Sequence, residues 1–178
     1  MGLSLKAVSK DWHYDEKLDE YVGETGSLST DIGYIGYKFF RDDLIKYCTN
    51  GKWEKLETIG DIFSCYHGNE TYKVAMTKED FEEEELKDDK VQEYIKRLEG
   101  LKNIFPKMYN CFPFIMHCDC NGEIPYTQLE KVLPVLEEYK QKYPNKKYGY
   151  GMRKYDWLKD LIDIIKEAIE MKGKLQFA

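Results

Sequence analysis

No stretch of this 178-residue chain approaches the ~18 uninterrupted apolar residues that a membrane-spanning helix needs. The opening Met1-Gly2-Leu3-Ser4-Leu5-Lys6 leads into no secretory hydrophobic segment, so a cytoplasmic location is expected. Histidine is scarce, at three residues, and the five cysteines (Cys48, Cys65, Cys111, Cys118, Cys120) contain no Cys-x-x-Cys pair, the spacing most diagnostic of zinc or redox chemistry. Their odd number argues against a complete disulfide framework and fits a reducing compartment. Positive charge is also in deficit. With 33 acids against 27 bases the net charge is −6, which disfavours binding of duplex nucleic acid by phosphate neutralisation. What is present is 42% hydrophobic residues on a chain long enough to bury roughly 70% of its unfolded surface, so a single domain over residues 1–178 is expected.

Periodicity gives the elements. Residues 3–8 alternate apolar and polar as a half-buried strand does. A charged stretch, 10–24, reads as loop or short helix. Phe40, Leu44, Ile45 and Cys48 recur at helical spacing over 37–48, with Asn50-Gly51 as the stop. Residues 59–66 and 71–76 flank a turn and read as a hairpin. Thr77 is placed to cap a charged helix over 77–101 that protrudes or packs by a thin stripe. The apolar run 108–116 has strand length, with Pro113 favouring an edge or a bulge. Pro125 suits the first turn of a helix that Pro134 should kink or divide. A final amphipathic helix, 156–171, is followed by Gly173 in the left-handed position and by Leu175-Gln176-Phe177 as an edge strand. The expected class is α+β: a small mixed sheet of N-terminal strand, hairpin, central strand and C-terminal edge strand, packed with about four helices.

Charge is distributed unevenly along the chain. Residues 79–90 hold eight acids and two lysines, residues 140–159 seven bases and one acid. The basic segment interleaves rings with cations, and Lys147, Tyr148, Tyr150, Arg153, Lys154 and Trp157 are the arrangement an anionic nucleotide requires, since a base stacks while the phosphate meets charge. The bland counterpart is a solvated loop whose tyrosines lie on the core. The acidic run is either the polar face of a helix or a surface, Glu82, Glu83, Glu84 and Glu85, offered to a basic partner protein.

The densest polar cluster is His117-Cys118-Asp119-Cys120-Asn121-Gly122-Glu123. As a calcium loop it lacks carboxylates at the first and last ligand positions, held here by His117 and Gln128. As a zinc site it would combine His117, Cys118 and Cys120 with Cys65, His67 or Cys111. A thiolate activated by an adjacent histidine is a third reading. The structural reading is a turn fixed by Asp119 or Asn121, with Gly122 allowing positive φ and Glu123 near a helix start.

The block from Phe114 through His117, Asp119, Cys120, Gly122 and Glu123 to Pro125, followed by a Leu-rich helix, resembles a group of bacterial and phage proteins of no established activity. These share a strand, a His-x-Asp-Cys-x-Gly-Glu loop and a helix. Gly33-Tyr34-Ile35-Gly36-Tyr37-Lys38-Phe39-Phe40-Arg41 and Lys172-Gly173-Lys174-Leu175-Gln176-Phe177 are similar to the same group, and together the pieces span about a third of the chain. Asn121 stands where the group often carries Asp. The resemblance implies that Arg41, His117, Asp119, Asn121 and Glu123 line one polar pocket, with Arg41 pairing Asp119 or Glu123.

Small size, uneven charge, fifteen tyrosines and the lack of a catalytic constellation lead to the expectation of a non-enzymatic binding protein. It would be phage-encoded, counteracting a host defence system by sequestering an anionic nucleotide or by binding a host protein. The alternative is a metal-binding protein or metal-assisted hydrolase centred on the 117–123 loop. No cofactor or membrane partner is expected, and a homo-oligomer is compatible with either reading.

Overall fold

The computed structural model describes residues 3–55, 66–67, 71–72, 81–117, 122–150 and 153–178, with backbone alone at 66, 67, 71, 72, 150, 153 and 154. In chain order the elements are β1 (Leu3–Val8), β2 (His13–Asp15), β3 (Glu20–Val22), β4 (Thr25–Ile32), α1 (Tyr34–Cys48), β5 (Tyr66–His67), β6 (Thr71–Tyr72), α2 (Asp89–Ile104), α3 (Pro106–Met116), β7 (Gly122–Pro125), α4 (Tyr126–Lys142), β8 (Tyr148–Tyr150), β9 (Arg153–Tyr155), α5 (Trp157–Glu170) and β10 (Lys174–Phe177). The class is α+β. Among the described residues no helix is long and apolar enough to cross a membrane. The chain forms two compact units, one of residues 1–40 with 118–178 and one of residues 41–117.

The first unit is built on a four-stranded sheet in the order β4-β1-β10-β7, antiparallel at every pairing rather than mixed. Alternation assigns its two faces. Leu3, Leu5, Ala7, Ile32, Leu175, Phe177 and Ile124 are buried on one face, beneath α4 and α5. Ser29, Lys6, Gln176 and Glu123 are register partners in a row across the other. The expected C-terminal edge strand is interior, because β10 bonds to β1 on one side and β7 on the other. α5 presents Trp157, Leu158, Leu161, Ile162, Ile164, Ile165 and Ala168 to the core. Burying seven such side chains stabilises the unit by roughly 10–20 kcal/mol before chain entropy is counted.

The end of α5 departs from expectation in an instructive way. Lys172, not Gly173, takes the left-handed conformation (φ 49°), while Lys172 N–H donates to Ile169 O at 3.0 Å and Gly173 N–H to Ala168 O at 2.9 Å. This is the paired bonding of a Schellman end. Gly173 is required one position later for space: a Cβ there would lie 2.0 Å from the Val8 carbonyl oxygen. α4 runs unbroken through Pro134, which is exposed, so the Glu130 carbonyl it leaves without a helical partner is on the water side.

In the second unit α2 starts at Asp89, with the Asp88 side chain accepting from Lys90 N–H at 2.8 Å, and not at Thr77. Residues 77–80 lie outside the described set, and 81–88 carry a short 3₁₀ turn, Glu85–Lys87. Val91, Tyr94, Ile95, Leu98 and Leu101 form the buried stripe of α2, which packs on α3. The run 108–116 is helix α3, not a strand. Pro106 opens it where a missing N–H costs nothing, and Met108, Cys111, Phe112 and Ile115 are buried at helical spacing. Of the expected hairpin over 59–76, the described part pairs Tyr66 with Tyr72 and His67 with Thr71; the rest lies outside the described residues.

Candidate functional site

The stretch 10–24, expected as loop or short helix, is the hairpin β2–β3. Its turn is set by Asp15, whose Oδ1 accepts from Lys17 N–H at 2.8 Å and Leu18 N–H at 3.3 Å, and by Asp19 at φ 56°. Tyr14 Oη donates to Asp19 Oδ1, and this bond pushes the phenol above its ordinary pKa. The base is tied where Ser9 Oγ accepts from Glu24 N–H at 2.9 Å and Ser9 N–H donates to Glu24 O at 2.8 Å.

This hairpin carries an aromatic cluster. Trp12 and Tyr21 stack with centroids 5.3 Å apart and planes 5° from parallel, and Tyr14 meets Tyr21 edge-on at 5.2 Å. Lys6 Nζ lies 4.4 Å from the Trp12 ring centroid, a cation–π contact that occupies the lysine. Between the hairpin and the sheet lies a cleft of about 560 Å³, within the size range of ligand sites. Trp12, His13, Tyr14 and Tyr21 line one side, with Gly122, Glu123, Gln176, Phe177 and Ala178 on the other.

The polar groups of this cleft divide into satisfied and unsatisfied. Glu123 is held by Lys174 at 2.6 Å. His13 Nδ1–H donates to the Asp11 carbonyl at 2.7 Å, which leaves Nε2 as an acceptor in the neutral ring. Two buried atoms have no partner: Trp12 Nε1, on a residue 8% exposed, and Gln176 Oε1, on a residue 9% exposed. An orphaned buried donor or acceptor costs about 1–3 kcal/mol, so a donor and an acceptor left unmade beside the same cleft are a standing preference for something that would pair them.

Of the residues singled out in the sequence, Glu123 lines this cleft. Tyr148 is 4% exposed and Trp157 fully buried; both pack their rings on Phe40, at 5.3 and 4.9 Å, and Tyr148 Oη bonds Tyr139 Oη at 2.5 Å. Two rings of the expected stacking platform are thus in the core, while Lys147, beside Tyr148, is exposed. Tyr150 pairs with Arg153 and Gly149 with Lys154 in the antiparallel β8–β9 ladder. Arg41 is buried, donating through NH1 to the carbonyls of Ile115 (3.4 Å) and His117 (3.0 Å), so it caps the end of α3. Glu123, expected as an Arg41 partner, is paired with Lys174 on the neighbouring strand. Asp119 and Asn121 lie outside the described residues. Glu82, Glu83 and Glu84 are exposed, and Glu85 folds back to accept from Glu82 N–H at 2.9 Å.

Among the described residues no three His, Cys, Asp or Glu side chains come together as a metal would require. Cys48 and Cys111 are buried thiols, and burial, then a hydrogen bond with Cys48, pushes the Cys111 thiol well above its ordinary value. The cleft went unnoticed in the sequence although a signal was there: Trp12-His13-Tyr14 and Glu20-Tyr21-Val22 flank a loop bounded by Asp15 and Asp19, a hairpin pattern with rings on both arms. No protein-family model matches the chain, and no curated protein and no solved structure is significantly similar to it.

Proposed function

We propose that this protein is a non-enzymatic binding protein that captures a small organic molecule between the β2–β3 hairpin and the polar face of the sheet. The observation that carries this reading is the pair of orphaned atoms, Trp12 Nε1 and Gln176 Oε1, on side chains more than nine-tenths buried beside one aromatic-lined cleft. A hydrogen bond to each recovers free energy that folding alone leaves unrecovered. The rings supply apolar contact area, the usual majority of a ligand site. Capture through residues 147–157 has weaker support, since two of its rings are spent on the core.

The test is two-dimensional amide NMR against a panel of nucleosides, sugars, amino acids and nucleotides. Perturbations centred on residues 12–14, 21, 122–123 and 176–178 are expected for at least one class. No binder in the panel, or shifts centred on 147–157, would overturn the reading.

A further inference from the structure

Resting on the cleft reading above, we infer the class of ligand: an uncharged planar nitrogen heterocycle of the nucleobase type, bound by an edge that carries a hydrogen-bond acceptor beside a donor. The indole Nε1 of Trp12 can only donate and so requires an acceptor on the ligand, whereas Gln176 Oε1 can only accept and requires a donor. A lactam edge, N–H next to C=O, supplies one of each.

Charge decides between base and phosphate. Among the described residues the lining holds one carboxylate side chain, Glu123, and Lys174 pairs with it at 2.6 Å. Lys6, the register neighbour of Gln176, is engaged over the Trp12 ring. Among the described lining residues a phosphate therefore meets no lysine or arginine, on a chain of net charge −6. A sugar fits less well, because its several hydroxyls would need more partners than two orphaned atoms provide. Planarity is favoured by the exposed rings of Tyr14 (46%) and Tyr21 (58%) at the mouth. Neither orphaned atom is exposed to solvent, so ligand entry requires the neighbouring rings to turn aside, a side-chain adjustment common at binding sites.

The experiment is calorimetric titration of the full chain with uridine, N3-methyluridine and uridine 5′-monophosphate, repeated on Trp12→Phe and Gln176→Met. Uridine is expected to bind. Methylation of N3, which deletes the ligand's donor, should weaken binding about tenfold. Trp12→Phe keeps a ring and deletes the donor of the protein, with a loss of the same size. If Trp12→Phe fails to fold, the methylated ligand and Gln176→Met carry the test alone. The monophosphate should bind no tighter than uridine. Tighter binding of the monophosphate by tenfold, or indifference to N3-methylation, would overturn the ligand class. If uridine fails while another member of the NMR panel maps to the cleft, the class falls and the binding reading stands. If nothing maps to the cleft, both fall.

Discussion

Glu167 on α5 and Ser27 on β4, 140 positions apart, are joined by two hydrogen bonds: Ser27 N–H and Oγ–H both donate to Glu167 Oε1, at 2.6 and 2.8 Å. Leu28 N–H adds a third, to Oε2 at 3.2 Å. The reason lies in the register of β4, where Lys6 pairs with Ser29 but Val8 with Thr25, so residues 26–28 bulge out of the ladder. Their amides lose strand partners, and the carboxylate replaces them at an edge that would otherwise be open to another chain.

Burial raises the Glu167 pKa, but the bonds from Ser27 and Leu28 outweigh it and hold the carboxyl below its ordinary value. A depressed folded-state pKa contributes stability that is present above the unfolded value, about 4.3, and is lost as pH falls through the lower, folded value. Glu167→Ala is expected to cost about 1–2 kcal/mol at pH 7, from charge-assisted bonds removed. Glu167→Gln should flatten the acid limb of the urea-midpoint profile below about pH 4.3. An unchanged profile would show that the carboxylate does not carry this coupling.

Two glycines should respond in opposite directions to alanine. At Gly173 a Cβ would fall 2.0 Å from Val8 O, a backbone atom that cannot turn aside, so Gly173→Ala should destabilise by more than about 2 kcal/mol through strain. At Gly100, inside α2, nothing lies within 4 Å of the added methyl, and Gly100→Ala should stabilise by about 0.5–1 kcal/mol. Denaturant titration of both variants reads the sign directly.

Tyr148 belongs to the core, and its variants should report stability instead of binding. Tyr148→Phe removes the buried hydroxyl that bonds Tyr139 Oη, at a cost of about 0.5–1.5 kcal/mol. Lys147→Ala, on an exposed neighbour, should stay within about 0.5 kcal/mol. Thermal denaturation of the two variants compares them.

Cys48 and Cys111 should be inert toward alkylation in the folded protein. Burial disfavours the thiolate of Cys111, and only the thiolate attacks. Peptide-resolved iodoacetamide labelling is expected to follow the urea unfolding curve for these two positions. Rapid labelling in native buffer would contradict their burial.

How much could be read from the residues varied with how strongly local pattern and final environment agreed. α1 and α5 were legible because apolar residues recur at helical spacing, and β1 because its polar residues alternate with buried ones. The run 108–116 misled because a fully buried helix and a buried strand are both continuously apolar; Pro106 at the helix start was the discriminating residue. His117 and Glu123 stood out in the dense polar cluster, and Arg41 through the resemblance, yet Arg41 and Glu123 are engaged in capping α3 and pairing Lys174.

The sequence by itself determined which segments would have an apolar face, because side-chain period is a local property of the backbone. It thereby settled the α+β class, the final amphipathic helix and the strand that follows it. Only the tertiary structure decided that this last strand lies inside the sheet, that Tyr148 and Trp157 turn inward, and that Trp12 meets the same cleft as Gln176. Pairing partners and orphaned atoms depend on which distant segments come together, which no single stretch of residues encodes.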